Sequence, residues 1–562
     1  MRSNLSSMAP RSLAVKDGEH LGLPVLPNMR AAKEQLKPDA TAVYVAAHQA
    51  PAAIEEAIEA EIRLIVAVAE HIPIHDLLQI HSILSTQSKS RLVGANATGI
   101  ISPIGRCRIG FQPLPTFSAG SVGIVAKSGT LSYETVASTT RAGVGQSLVI
   151  GMGGDVLAGT NFVDALRVFE HDDDTKGIII VGEIGGRAEE EAAEWIKDYK
   201  RRTSNPKPIM ALIGGNLRPV QLQINDAVCT HSVEDQSSTT TINCTAQKRS
   251  LYIKQSQAFD TLKDQGVRVA EEPAIPGKEY LLAVSIDRSN LCPCIVASPP
   301  TTAEDPYIEA RRFPFDYRAG LDDNLIPSII EHLQLKPPST KPLTRIIHNV
   351  VNLFMTKEAF VLETRLSILS SSDLAISSAR FGFDDAAFRS AQRQADVHAL
   401  RNMQDEVAEE VEAEKDGIVY IKLTGKGTIG TLVNGAGLAM NTVDALSLCG
   451  GPVANFLDTG GKATAATVAA SFRLVLSDPR VRAVSINIFG GLTRCDMIAE
   501  GVVVAYRELG VRVPVVVMLR GTNEGDGQRM IAESGLALHA FDDFEEAAAK
   551  VIELAGGEEE GE

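Results

Sequence analysis

Positive charge is the scarcer sign in this chain. Its 562 residues carry 54 Lys and Arg against 70 Asp and Glu, a formal net charge of −16, whereas a nucleic-acid surface needs clustered basic side chains to displace counterions. Nucleic acid is therefore excluded as a partner. Small anions are not, because backbone N–H groups at helix starts carry positive potential without any basic side chain. Long apolar runs are lacking too: no stretch of about 18 uncharged apolar residues occurs, so no membrane-spanning helix is predicted and no membrane partner is expected. The seven cysteines (Cys107, Cys229, Cys244, Cys292, Cys294, Cys449, Cys495) are odd in number and scattered, unlike a disulfide framework, which points to a reducing intracellular compartment. Cys292 and Cys294 form the one close pair, but without a second pair at zinc spacing they read as two edge-strand residues. Residues 1–16 are Ser-rich with two arginines and no acid, too short and proline-interrupted to be assigned as an organelle presequence.

What is present is ordinary globular composition, with 44% hydrophobic and 22% charged residues, in a chain long enough for three or four domains. From Leu23 to about Phe111, short runs such as AVYVA and RLIVAVA alternate with helical patterns such as APAAIEEAIEA. This is the βα rhythm of a parallel, doubly wound sheet. The rhythm returns in VGIVAKSGTLSYETVAST, GIIIVGEIGGRAEEEAAEWIKDY and PIMALIG. Between about 216 and 256 the text becomes polar and Ser/Thr-rich without a period, as a loop or disturbed segment does. Strands and helices of an α+β unit follow to Arg380, then a charged helix. The βα pattern reappears in TIGTLVNGAGLAM, VRAVSINIFGG and VPVVVMLRG, and the chain ends in an amphipathic helix and an acidic tail.

Two strand–helix junctions carry the chemistry. Lys127-Ser128-Gly129-Thr130-Leu131-Ser132-Tyr133 follows the apolar strand VGIVA, where small residues let the first helical N–H groups converge on an oxyanion. An ordinary βα turn with a hydroxyl N-cap has the same spacing. Asp458-Thr459-Gly460-Gly461-Lys462-Ala463-Thr464 also opens a helix, and a glycine pair there is equally common in open α/β sheets.

The wording around these junctions is more specific. GIVAKSGTLSYETV, GQSLVIGMGGDVLAGTNFVDAL and GEIGGRAEEEAA resemble, in order and spacing, the ligase region of the succinyl-CoA synthetase α subunit; VNGAGLAMNTVDAL, GGPVANFLDTGGKAT and NIFGGLTRCDMIAEG resemble the matching region of the β subunit. The chain thus looks like both halves of a nucleoside-diphosphate-forming acid–thiol ligase in one polypeptide. The resemblance implies an α/β fold with several doubly wound parallel-sheet domains. These are a truncated CoA-binding Rossmann-like domain (1–115), an α-type flavodoxin-like ligase domain (116–275) containing the disturbed segment 216–255, a partial ATP-grasp α+β domain (276–415), a β-type ligase domain (416–557) and an acidic tail (558–562). It also implies CoA, a small carboxylic acid and ATP or GTP with Mg as ligands, a partner subunit or homo-oligomer, and a mitochondrial or cytoplasmic location. ATP-citrate lyase has the β-like part first and an added domain, so citrate cleavage is not the expectation.

In that family a histidine carries phosphate between nucleotide and carboxylate before CoA displaces it. By resemblance, Ser128, Gly129, Thr130, Gly460, Gly461 and Thr464 hold the phosphate between facing helix starts, and Glu183 of the GEIGG motif orients the histidine. Asn434, Gly435, Gly437, Gly490 and Gly491 match the acid-binding turns. Lys16, Glu70 and Pro73 match the CoA-contacting segments, with His71 standing where that family has glycine and crowding the pocket.

Several expected pieces are missing. No GHAGA motif occurs, and His231, without flanking glycines, is the only histidine between 216 and 255. Glu363 stands at the Mg-binding glutamate, but Arg365 and Ser378 replace the asparagine and aspartate ligands, so no metal-binding residue set is assigned; an arginine cannot ligate a cation. The ATP-grasp N-terminal lobe has no counterpart before EYLLAVSIDR. Three readings stay open: a ligase completed by a partner, a CoA-binding paralogue without phosphoryl transfer, or a reading frame interrupted across 216–255. Sequencing the transcript through that segment separates the third from the others, because an interrupted frame yields an uninterrupted GHAGA-containing message.

Overall fold

The computed structural model describes residues 18–20, 22–183, 185–215, 250–270, 279–300, 307–336, 339–369, 373–460, 463–491 and 494–556. The first unit is a parallel sheet of β1 (Ala40–Val43), β2 (Leu64–Ala67) and β3 (Arg91–Val93), in that order. Helices α1 (Ala50–Glu59) and α2 (Ile74–Ser85) connect them. Pro51 lies in the first turn of α1, where its missing N–H would have had no helical partner. Ile54, Ala57 and Ile58 recur at three- and four-residue spacing and are the buried face of α1.

The second sheet comprises β4 (Gly99–Ser102), β5 (Cys107–Gly110), β6 (Ala119–Ala126), β7 (Gln146–Gly151), β8 (Gly177–Glu183) and β9 (Ile209–Gly214), in the order β9-β8-β6-β7-β4-β5. The first four are parallel, and β4 and β5 pair antiparallel at the edge. Helix α3 (Gly129–Arg141) follows β6 directly. Residues 99–110, grouped with the first domain on sequence, are therefore hydrogen-bonded into the second sheet.

An antiparallel sheet comes next. It contains β10 (Ser250–Tyr252), β11 (Tyr280–Asp287), β12 (Cys292–Ser298), β13 (Arg311–Pro314), β14 (Ala359–Ile368) and β15 (Leu374–Asp384), in the order β10-β15-β14-β11-β12-β13. Helices α4 (Gln255–Asp264) and α5 (Thr340–Lys357) cover one face, where Leu262, Ile347 and Phe354 pack with Leu362, Leu366 and Phe381. Each such side chain, fully buried, is worth roughly 1.5–3 kcal/mol. The segment from Ser250 through α4, read on sequence as the end of the α-type domain, packs here, because β10 pairs with β15. Cys292 and Cys294 open β12, which is bonded to β11 on one side and β13 on the other. They sit on an internal strand, not on the edge expected from sequence, and both carry free thiols. Helix α6 (Asp385–Arg389) follows β15.

The last sheet has β16 (Val419–Lys422), β17 (Ile429–Val433), β18 (Asn455–Asp458), β19 (Ala483–Gly490), β20 (Val515–Gly521) and β21 (Leu538–Phe541), ordered β16-β18-β17-β19-β20-β21. Every residue of β19 is buried, the pattern of a strand covered on both faces. Helix α7 (Ala436–Leu448) follows β17 and α8 (Ala465–Leu476) follows β18. One apolar core spans the two parallel sheets, with Leu131 and Tyr133 of α3 in the same cluster as Leu438 and Met440 of α7 and Phe489 of β19.

The first unit is pinned to the antiparallel sheet by two buried polar groups. Asp384 accepts the Ile74 N–H through Oδ2 at 2.7 Å and the Ala386 N–H through Oδ1 at 3.0 Å, so one carboxylate caps α2 and α6 together. His75 Nε2 donates to the Ala359 carbonyl at 2.7 Å, which leaves Nδ1 to accept from the Tyr317 hydroxyl at 3.2 Å. Burial holds its pKa down to about 4 from 6.5, so the ring is neutral. A depressed histidine removes stability as pH falls, because the unfolded chain takes the proton first. The α2–β14 contact should lose up to about 3 kcal/mol between pH 6.5 and pH 4 and nothing further below that. Amide exchange of residues 74–85 at several pH values measures this, and His75→Gln should remove most of the slope.

Candidate functional site

The helix start that faces Ser128 and Thr130 is that of α7. A Cβ built on Gly437 would lie 2.0 Å from Ser128 Oγ and 2.8 Å from Glu183 Oε2, and one on Gly435 would lie 2.2 Å from Thr130 Oγ1. Gly435 also has φ 92°, a conformation that side chains resist. Glycines at 435 and 437 thus let two helix N-termini meet with hydroxyls between them. Glu183, at the end of β8, brings its carboxylate into this junction, where two positive helix ends favour an anion. Lys127 holds the turn beyond it: Nζ donates to the carbonyls of Glu183 at 3.2 Å and Gly185 at 2.9 Å, and pairs with Glu189 at 3.5 Å. Across the junction, Gly215 N–H donates to Asp444 of α7 at 2.7 Å.

The second predicted loop joins the same junction through the carboxylate of its first residue, to which no role is given on sequence. Asp458 Oδ1 accepts the N–H of Gly435 and, at 2.7 Å, that of Gly460. Thr464 is the N-cap of α8, accepting from Thr467 N–H at 3.2 Å. Asn434 is buried and ties two strands, donating to the Phe489 carbonyl and accepting the Phe489 N–H at 2.8 Å each. Gly490 ends β19, and Gly491 lies beside the Tyr133 ring. Lys16, His231 and Gly461 lie outside the described residues. Lys127 and Asp458 were legible only as neighbours of the small residues that drew attention: one precedes Ser-Gly-Thr and the other opens Asp-Thr-Gly.

Glu363 and Mg²⁺ do not fit together. Arg365 pairs with Glu363 Oε1 at 3.0 Å, and the Tyr307 hydroxyl donates to Oε2 at 2.5 Å. Beside the carboxylate, that phenol is pushed upward, chiefly by burial. Ser378 is engaged with Gln255 at 2.9 Å. Among the described residues no group of three His, Cys, Asp or Glu is arranged to hold a metal ion. Glu70 is exposed in the turn before α2, and Pro73 is the buried residue that caps it. His71 keeps the left-handed backbone of a glycine, φ 66°, with its side chain exposed.

A cavity of about 850 Å³ opens from the junction, bounded by Lys127, Glu183 and Ala436 on one side, Ile72 and Ile74 on another, and the antiparallel sheet on a third. That volume is within the range of small-molecule sites, roughly 300–1,000 Å³. The geometry joins two anion-seeking helix starts, an orienting carboxylate and a ligand-sized space, the equipment of an acyl- or phosphoryl-transfer enzyme.

Comparison with known proteins gives this arrangement a class. A CoA-ligase family model matches residues 125–248 and 432–552, the two parallel-sheet units, and a CoA binding domain model matches residues 13–71. The chain is built as a CoA ligase with both ligase units in one polypeptide. It is 38% identical over 286 residues to the mitochondrial succinate–CoA ligase [ADP-forming] subunit beta of Saccharomyces cerevisiae, covering 49% of this chain and 66% of that one. To the same subunit of Desulfatibacillum aliphaticivorans it is 36% identical over 300 residues, covering 52% and 75%. Among solved structures, ATP citrate lyase from Methanothrix soehngenii in complex with citrate and coenzyme A is similar over 53% of this chain and 81% of that chain, at 17% identity and a TM-score of 0.40. The chain belongs to the succinate–CoA ligase family. About half of it is matched by those curated relatives, which it spans to two thirds or three quarters of their length.

Gly437→Ala tests the junction. The alanine gains roughly 1 kcal/mol of helix propensity but overpacks Ser128, and a net loss of about 1–3 kcal/mol is expected. In a Ser128→Gly background the loss should shrink, because only the contact with Glu183 Oε2 at 2.8 Å remains. Thermal melts of the four proteins give the coupling.

Proposed function

We propose that the chain is an acid–thiol ligase that joins a small carboxylic acid to CoA with cleavage of ATP or GTP, the chemistry stated in the names of its relatives for succinate and ADP. The observation that carries this reading is the glycine-permitted meeting of the α3 and α7 starts around Glu183. The converging N–H groups and the Ser128 and Thr130 hydroxyls stabilise a transferring phosphoryl group as charge develops on its oxygens. Glu183 fixes the tautomer of an imidazole presented there and stabilises its protonated form. That imidazole belongs to a partner subunit or a second copy, with His231 as the in-chain alternative. Asn434 holds the turn of Gly435 and Gly437 in register with that of Gly490 and Gly491, which receives the acid. Glu70 and Pro73 flank the CoA entry, together with Lys16. A mitochondrial or cytosolic setting supplies these substrates.

A second reading, a CoA- or acyl-CoA-binding paralogue without phosphoryl transfer, is favoured by the clamp of Arg365 and Tyr307 on Glu363. Incubation of the full chain with γ-labelled ATP or GTP, with and without Mg²⁺, followed by thioester detection with CoA and succinate, decides between them. The ligase gives acid-labile label and thioester, and Glu183→Gln cuts the label about ten-fold or more. A protein that binds CoA, acquires no label alone, and supports neither labelling nor thioester formation together with the subunits that co-purify with it is the paralogue.

A further inference from the structure

Three arginines stand around the ends of β19 and β20, and two of them are paired with carboxylates. Arg494 pairs with Asp496 and Arg529 with Asp526. Glu524, the other carboxylate after β20, accepts the Gly521 N–H at 2.7 Å. Arg520 is different. It is half-buried at the end of β20, has no carboxylate at ion-pair distance among the described residues, and its Nε is buried without a hydrogen-bond partner. A guanidinium keeps its protons, so a buried donor of this kind carries its desolvation cost until an acceptor arrives.

Where that donor stands follows from the pleat. Phe489 and Arg520 are opposite one another in the parallel pair of β19 and β20, on strands about 4.8 Å apart. Side chains alternate along a strand. Val516 packs in the same cluster as Phe489, whereas Val517 and Leu519 pack in the cluster on the other face. Arg520 alternates with Leu519 and so leaves the sheet beside Phe489, on the face that α3 and α7 cover. The end of β20 is also laced to the turn of Gly490 and Gly491: Thr522 donates its N–H to the Gly490 carbonyl at 2.9 Å and its hydroxyl to the Gly491 carbonyl at 3.0 Å. A Cβ on Gly491 would lie 3.3 Å from the Tyr133 ring, whose centre is 5.7 Å from that of Phe489. Two rings and an unpaired cation thus meet at one turn, and the cation is placed there by strand register.

We propose that Arg520 is the residue that reads the charge of the acid. Its guanidinium pairs with the carboxylate remote from the one that reacts, while the rings of Tyr133 and Phe489 flank the carbon chain between the two. A carboxylate fits the planar fork of a guanidinium through two parallel hydrogen bonds. A monocarboxylic acid leaves that fork unpaired, and a site with a buried donor rejects a ligand that cannot satisfy it. The inference rests on the ligase reading for the placement of the acid at Gly490 and Gly491, and adds to it the side chain that separates dicarboxylic from monocarboxylic acids.

Titration calorimetry of the full chain with succinate, butyrate and inorganic phosphate as separate ligands tests this without turnover. Succinate should bind about ten-fold or more tightly than butyrate, and Arg520→Gln should erase the difference by weakening succinate alone. Arg520→Lys, which keeps the charge and loses the fork, should weaken succinate less than Arg520→Gln does and leave butyrate unchanged; it serves as the test variant if Arg520→Gln fails to fold. Equal weakening of succinate and butyrate in folded Arg520→Gln protein reveals a packing role and overturns the proposal. Unchanged succinate affinity in that variant overturns it too, as do loss of phosphate binding with succinate binding kept, and absence of succinate binding by the unaltered chain. Thioester formation, assayed in parallel together with the subunits that co-purify, keeps the two readings apart. Thioester formed with a succinate affinity indifferent to residue 520 sinks this inference and leaves the ligase; Arg520-dependent succinate binding with neither label nor thioester does the reverse.

Discussion

Two helix N-termini brought together repel, because each presents the positive end of its dipole. The structure around α3 and α7 is organised by that repulsion and its compensation. The carboxylate of Glu183 enters where the two ends meet, and glycines at 435 and 437 clear the space for it and for Ser128 and Thr130. Lys127 then fixes the backbone carrying Glu183 by holding the carbonyls on either side of Ile184. The shared apolar core of α3, α7 and β19 keeps the sheets from separating under the same repulsion.

Much of this was legible in the sequence because it is local. Strand, small-residue turn and helix follow one another within a dozen residues at Ser128 and at Gly435, and the periods of two and 3.6 mark them. Glu183 was legible because its motif is read whole. What was not legible depends on pairing over long separations. Nothing in the text of residues 255–264 says that the helix covers the antiparallel sheet; that follows from the hydrogen bonds of β10 to β15. Nor does sequence say that α3 meets α7, over 300 positions on, ahead of the loop at Gly460.

The same distinction applies to Glu363. Its position in a familiar motif suggested a ligand, and the replacement at 365 alone suggested a lost neighbour. The structure adds that the replacement is itself the partner. Arg365 and Tyr307 each engage one oxygen of the carboxylate.

Asp458 has a consequence for the backbone of the junction. One of its oxygens occupies the amides of both Gly435 and Gly460, so a single carboxylate ties the turn before α7 to the turn after β18. Two loops separated by 25 positions are thereby held as one unit, and removing that side chain would release both turns at once, leaving two buried or half-buried N–H groups without their acceptor.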